Sequence, residues 1–149
     1  MIASARSLKI HAQVAGFVER SPGVPMTHTT RTKAYIEYAV MLAVLNFQKE
    51  FMQSNYSHVQ VQLLENLVEV DLTRTAPIPA EKRLAQTQEG RAQLRQMHQA
   101  LFSAGQDILK KQLEDILGGK IYEMVTDLEP LSGKNTIVIR FNDAIGNPR

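Results

Sequence analysis

The sequence predicts a single α+β domain with the element order α-β-β-α-β-β, forming a four-stranded, mainly antiparallel sheet with helices packed on one face. Three observations lead there. Four short segments alternate apolar and polar residues, the period-two pattern of strands with one buried face. Two longer segments repeat apolar residues every three or four positions, the rhythm of a helix with one buried side. Prolines and paired glycines stand between these segments, where the chain has to turn.

The first helix is expected over 31–51, where Ile36, Val40, Ala43, Val44, Phe47 and Phe51 fall on one face. Tyr35, Ala39, Met41 and Leu42 widen that face beyond the usual stripe. Packing in the core is the plainer account of the extra width, and cover by a second subunit or by the N-terminal arm is the alternative. His58 to Leu63 then alternates strictly, with Val59, Val61 and Leu63 on one side, and Val68, Val70 and Leu72 alternate with Glu69, Asp71 and Thr73. The short link at Glu65-Asn66 predicts an antiparallel hairpin, leaving Gln60, Gln62, Glu69 and Asp71 on a wet outer face.

Pro77 and Pro79 interrupt the chain, because each lacks a backbone donor and biases its predecessor away from helix. Pro79 suits the first position of a helix, so 80–87 reads as a short helical turn. A long helix follows over 88–117 with Leu94, Met97, Leu101, Ala104, Ile108 and Leu113 as its expected apolar side. Gly105 is expected to kink or split it, and Gly118-Gly119 to end it. Ile121 to Leu128 and Thr136 to Phe141 complete the sheet, joined by the turn-rich 129–135. The domain is expected to occupy residues 26–143, with 1–25 a weakly ordered extension and 144–149 a frayed tail. Ile10, Val14, Phe17 and Val18 share helical spacing within that extension, so attachment to a membrane surface through residues 1–20 is a further possibility.

Length and composition fit one globular core: 149 residues, 44% hydrophobic and 21% charged. With no cysteine, disulfides, thiolate metal sites and cysteine nucleophiles are excluded together. The nearest approach to a membrane span, Ala39 to Phe47, is broken by Asn46 and far too short, so no transmembrane segment is expected. The net charge of +2 sits wholly in residues 1–25, where Arg6, Lys9 and Arg20 face Glu19; from Met26 onward 14 basic residues balance 14 acidic ones. A neutral domain with interspersed signs lacks the basic face that binds phosphate backbones, and nucleic acid is not expected as a partner.

No catalytic motif emerges. The histidines His11, His28, His58 and His98 lie in separate elements without metal-ligand spacing, so neither a metal nor any cofactor is expected. Ser103 and Ser132 lack the glycine context of a nucleophile elbow. Glu123 and Asp127 share a strand face with Val125, where a mixed outer sheet surface is the plain reading. The densest polar stretch runs from Glu81 to Arg91, and Gly90 within it costs a helix about 1 kcal/mol against alanine, which calls for compensation. A break between two helices is one explanation. The sharper one is an anion- or ligand-binding site using Glu81, Gly90, Arg91 and Arg95, with His98 nearby, at the N-terminus of the long helix.

Pro79-Ala80-Glu81-Lys82-Arg83-Leu84, then Gly90-Arg91, Leu117-Gly118-Gly119-Lys120-Ile121, Asp127 and Ile137-Val138-Ile139 follow in an order and spacing that resemble the MpsC-like family over Lys33 to Phe141. That family is a domain of unknown function named for a sodium-translocating, membrane-potential-generating system. Its pattern usually has glycines and a proline before the first strand, where this chain has Gln53-Ser54-Asn55-Tyr56-Ser57. The missing catalytic constellation predicts a non-enzymatic protein, expected in the cytoplasm, and the resemblance implies an accessory or regulatory role with a membrane-protein partner. Together with the wide apolar face of the first helix, it leads to an expected homo-oligomer, with a dimer favoured.

Overall fold

The structure, a computed structural model, describes residues 32–143. Its elements are α1 (Lys33–Phe47), β1 (His58–Leu63), β2 (Leu67–Thr73), α2 (Pro79–Leu84), α3 (Gln88–Leu117), β3 (Gly119–Glu129) and β4 (Lys134–Asp143). The α-β-β-α-β-β order is thus the one the sequence predicts, with α2 as a short prelude to α3. The proposed extension 1–25 and tail 144–149 lie outside the described residues.

All strand pairings are antiparallel, in the order β1-β2-β4-β3. The two hairpins therefore meet through β2 and β4. Val61 pairs with Val70 and Val70 with Ile137, so one row of β-branched side chains crosses three strands on the buried face. A bulge at Tyr122 lies between the pairs Ile121–Phe141 and Glu123–Arg140. It lets Ile121 and Thr126 both point inward along one strand, and leaves Tyr122 in solvent.

α1 and α3 cover the inner face. Val40, Val44 and Phe47 of α1 meet Phe102, Leu109 and Leu113 of α3 above Val68, Val70, Leu72, Ile137 and Ile139. Phe47 sets its edge against Phe102 with ring centroids 5.9 Å apart, a favourable quadrupole arrangement. The outer face carries the expected Gln60, Gln62, Glu69 and Asp71, and there Arg140 pairs with Glu123 at 3.0 Å.

Three local predictions are corrected. The first helix ends its α-helical course at Phe47 and continues as a π-helical turn, Gln48–Met52. Gly105 neither kinks nor splits α3, which runs unbroken for 30 residues. Instead, the missing side chain makes room for Phe51, whose ring would lie 2.4 Å from a Cβ at this position. The buried side of α3 is Leu94, His98, Phe102, Gly105, Leu109 and Leu113, whereas Met97, Leu101, Ala104 and Ile108 face outward. α3 has two apolar stripes about a quarter turn apart. The one that packs contains the glycine that admits Phe51 and the histidine that finds a partner on β3.

Candidate functional site

One end of the sheet gathers the polar groups of the interior. β2 ends at Thr73 and the chain leaves as Arg74; β1 begins after the loop 53–57; β4 begins beyond the Gly133 turn. The loop is set by the π-helical turn. Its cap, Gln53, takes a left-handed backbone (φ 58°), and the Ser54 amide donates to the Gln48 carbonyl at 2.8 Å. π-turns and left-handed non-glycine residues are uncommon and concentrate at functional sites. Gln48 is almost wholly buried, and neither atom of its side-chain amide has a partner among the described residues.

Arg74 stands at the centre of this end. Its guanidinium lies 4.2 Å from the centroid of the Tyr56 ring, a cation–π contact, and the other side of the chain passes over Gly133. Gly133 has φ +80°, a conformation that favours glycine in the β3–β4 turn. Nη2 of Arg74 donates to Ser54 Oγ at 2.6 Å. Nε and Nη1 are buried and have no acceptor among the described residues, and no carboxylate pairs with this cation there. Burial raises the Tyr56 phenol above its ordinary value, with the Arg74 charge and the Ser54 hydrogen bond opposing and the Glu81 charge assisting.

Beneath Arg74 runs a buried polar chain. His98 Nε2 lies 2.9 Å from Thr126 Oγ1, and Asn135 Nδ2 donates to the same hydroxyl at 2.9 Å and to the Asp127 carbonyl at 2.9 Å. The hydroxyl can accept from Asn135 while donating to an unprotonated imidazole. Burial is the largest cause of a lowered His98 pKa, the Arg74 charge adds to it, and Asp127 opposes both. Above Arg74 opens a cleft of about 860 Å³, with Leu42, Leu45 and Ile78 as apolar wall and Lys49, Ser54 and Arg74 among its polar lining.

The residues singled out from sequence take distinct places. Gly90 lies at the α2–α3 elbow, where a Cβ would come within 1.8 Å of the Leu84 carbonyl oxygen, and its amide donates to the Thr87 cap at 2.9 Å. Close backbone approach is thus the compensation for glycine there. Arg91 donates to the Ala85 carbonyl at 2.8 Å and holds the same elbow from the other side. Arg95 is exposed, and its charge reaches Glu129, whose carboxyl is held low chiefly by the Ser132 hydroxyl and amide. Glu81, half buried on α2, and His98, buried on α3, are drawn toward the Tyr56–Arg74 cluster. Arg74 itself carries no sequence signal, since its partners Ser54 and Tyr56 stand 20 and 18 positions away and join it only through the fold.

Among the described residues no group of three histidines or carboxylates is placed to hold a metal, and no helix is long and apolar enough to cross a membrane. No curated protein and no solved structure matches the chain. A family model described as "Na+-translocating membrane potential-generating system (MpsC)" matches residues 32–143, the span of the whole domain just described, and the chain belongs to that family.

Proposed function

We propose that this chain acts by binding, as a non-enzymatic, cytoplasmic accessory or regulatory component of a membrane-potential-generating system, and that it works as a homodimer joined through α3. The observation that carries the reading is the outward stripe of α3. Met97 is 57% exposed, Leu101 38% and Ile108 55%, with the small Ala104 between them. Their spacing of four, three and four is that of a coiled-coil seam. Single exposed apolar residues need no explanation, whereas four aligned on one helix mark a surface that is covered in use.

A second copy fits this stripe by size. If two α3 helices cross antiparallel with the axis between Leu101 and Ala104, each Leu101 faces the partner's Ala104, and each Met97 faces the partner's Ile108. Large side chains then meet small or flexible ones, as isologous packing requires. The carboxylates support binding over catalysis, because several are engaged by backbone amides: Glu37 by Leu63 at 2.8 Å, Glu114 by Ile121 at 2.8 Å, and Glu129 by Ser132 at 2.9 Å. The family's description, which names a membrane-potential-generating system, supports the proposal of a membrane-protein partner.

Light scattering of the purified full chain tests the dimer. A mass near twice 16.7 kDa is expected, falling to the monomer value in the double substitution Leu101→Glu, Ile108→Glu. A monomer at every concentration refutes self-association. Affinity purification from the native host tests the accessory role: a membrane transport subunit should copurify reproducibly, and its absence under crosslinking would count against the assignment.

A further inference from the structure

We propose that the cleft over Arg74 is a binding site for a small organic oxyanion, a carboxylate or phosphate with an apolar substituent, whose charged end is received by Arg74 and Lys49. The starting point is an imbalance in the interior. A guanidinium stays protonated at any physiological pH, so it cannot relieve its burial by losing charge. In this protein it has one hydroxyl acceptor and one aromatic face, while two of its nitrogens have no acceptor among the described residues. Arg74 as a whole is half-buried, and a cation partly withdrawn from water is usually paired with a carboxylate, which it lacks among the described residues.

The surroundings define what restores the balance. Glu81 and Asp127 are near enough to influence Tyr56 and His98, yet neither forms an ion pair with Arg74. The roof over the guanidinium is the loop that contributes Ser54 and Tyr56, hung from the π-helical turn by the Ser54 amide. An oxyanion entering from the cleft takes the place of the Ser54 hydroxyl on Nη2 and supplies the counter-charge that this cation lacks among the described residues, while Nε and Nη1 stay shielded against Gly133. Lys49 lines the same cleft, is exposed, and has no ion pair among the described residues. Ser57 and Thr75, joined through their hydroxyls at 3.0 Å, add neutral hydrogen-bonding groups to the rim.

Both the apolar wall and the size of the cleft argue for more than a bare inorganic ion. Leu42, Leu45 and Ile78 line one side, and a space of about 860 Å³ matches the range in which small organic ligands are held. The basic pair thus fixes the head of the ligand and the wall takes its body. This site is separate from the α3 stripe, so it stands or falls independently of dimerisation.

Calorimetric titration of the full chain in low-chloride buffer with hexanoate, acetate and inorganic phosphate tests the site. Saturable binding of hexanoate is expected, about tenfold tighter than acetate because methylenes leave water. Phosphate competing with hexanoate identifies a general oxyanion seat, and failure to compete identifies a carboxylate seat; both support the proposal. Arg74→Gln should weaken hexanoate by about tenfold or more, Lys49→Gln by severalfold, and Lys111→Gln, exposed on α3 outside the cleft, not at all. Absence of saturable binding by any of the three anions overturns the proposal, as does unchanged affinity in a folded Arg74→Gln variant. Should Arg74→Gln fail to fold, Lys49→Gln decides: it alters only an exposed side chain, and unchanged affinity there also overturns the site.

Discussion

Replacing Gly90 by alanine tests whether the α2–α3 elbow is held by backbone contact. In an isolated helix the change should stabilise by about 1 kcal/mol, since glycine has greater freedom to lose. Here the added Cβ would lie 1.8 Å from the Leu84 carbonyl oxygen and 2.8 Å from its carbon, distances below the 3.0 Å that real Cβ atoms keep. Because the obstacle is backbone, no rotamer change relieves it, and α2 has to move away from α3 by more than about an ångström. That movement stretches the Arg91 contact to the Ala85 carbonyl, now 2.8 Å, and disturbs the Thr87 cap on Gly90. Overpacking of this kind costs about 1–3 kcal/mol, and weakening a charge-assisted bond and a cap adds about 1–2 kcal/mol. Set against the propensity gain, the net loss should be about 1–4 kcal/mol, a fall of roughly 4–16 °C in the unfolding midpoint for a domain of this size. Urea denaturation followed by circular dichroism measures it directly. A variant as stable as the parent, or more stable, would show that Gly90 is no more than a weak helix residue and that the elbow is not packed as described.

Gly105→Ala should also destabilise, by about 1–2 kcal/mol, because its Cβ would meet the Phe51 ring at 2.4 Å; the cost is smaller than at Gly90 because a side chain can turn aside, and equal urea midpoints for parent and variant would contradict the packing. Glu114→Gln should weaken the bond to the Ile121 amide at 2.8 Å, costing about 0.5–1 kcal/mol and speeding hydrogen exchange at that amide above all; uniform exchange rates across β3 would argue against a local role. His98, whose pKa is lowered in the fold, contributes stability that is complete above its ordinary value of 6.5 and is lost as pH falls from there toward the folded value, because the unfolded chain takes up the proton first. His98→Gln should flatten the stability profile over that interval, and an unchanged slope would assign the pH dependence to other groups.

The four strands were legible because each buries one face and leaves the other wet, so that Val59, Val61 and Leu63, or Val68, Val70 and Leu72, announce themselves by alternation. The helix break at Pro79 and the end of α3 at Gly118 were legible for a similar reason, since proline and a left-handed glycine impose their geometry locally. The inward side of α3 was not. Met97, Leu101, Ala104 and Ile108 form as regular a stripe as the residues that pack, and the choice depends on Phe51 finding the gap at Gly105 and His98 finding Thr126. Those are tertiary events between residues tens of positions apart. Arg74 is the extreme case. Its sequence neighbours suggest only the end of a strand, and its peculiarity, a cation with two buried nitrogens lacking acceptors, exists only once Tyr56, Ser54 and Gly133 have been brought around it.

The proximity of Arg74 to His98 turns the proposed anion site into a prediction about a proton. Burial disfavours the imidazolium whatever occupies the cleft, but the second cause of the lowered His98 pKa is the Arg74 charge, and that cause is removable. A carboxylate seated on Arg74 offsets its field, while Asp127 and the Thr126 hydroxyl stay in place, so the His98 pKa must rise toward its ordinary value. By reciprocity, protonating His98 must tighten the anion by the same factor. Proton magnetic resonance of the imidazoles, titrated with and without saturating hexanoate and assigned with His98→Gln, reads the effect. The resonance assigned to His98 should move to higher pKa. If hexanoate saturates the protein while the His98 pKa stays where it was, the anion sits elsewhere. The half-buried guanidinium would then be a structural cation held by Tyr56 and Ser54 alone.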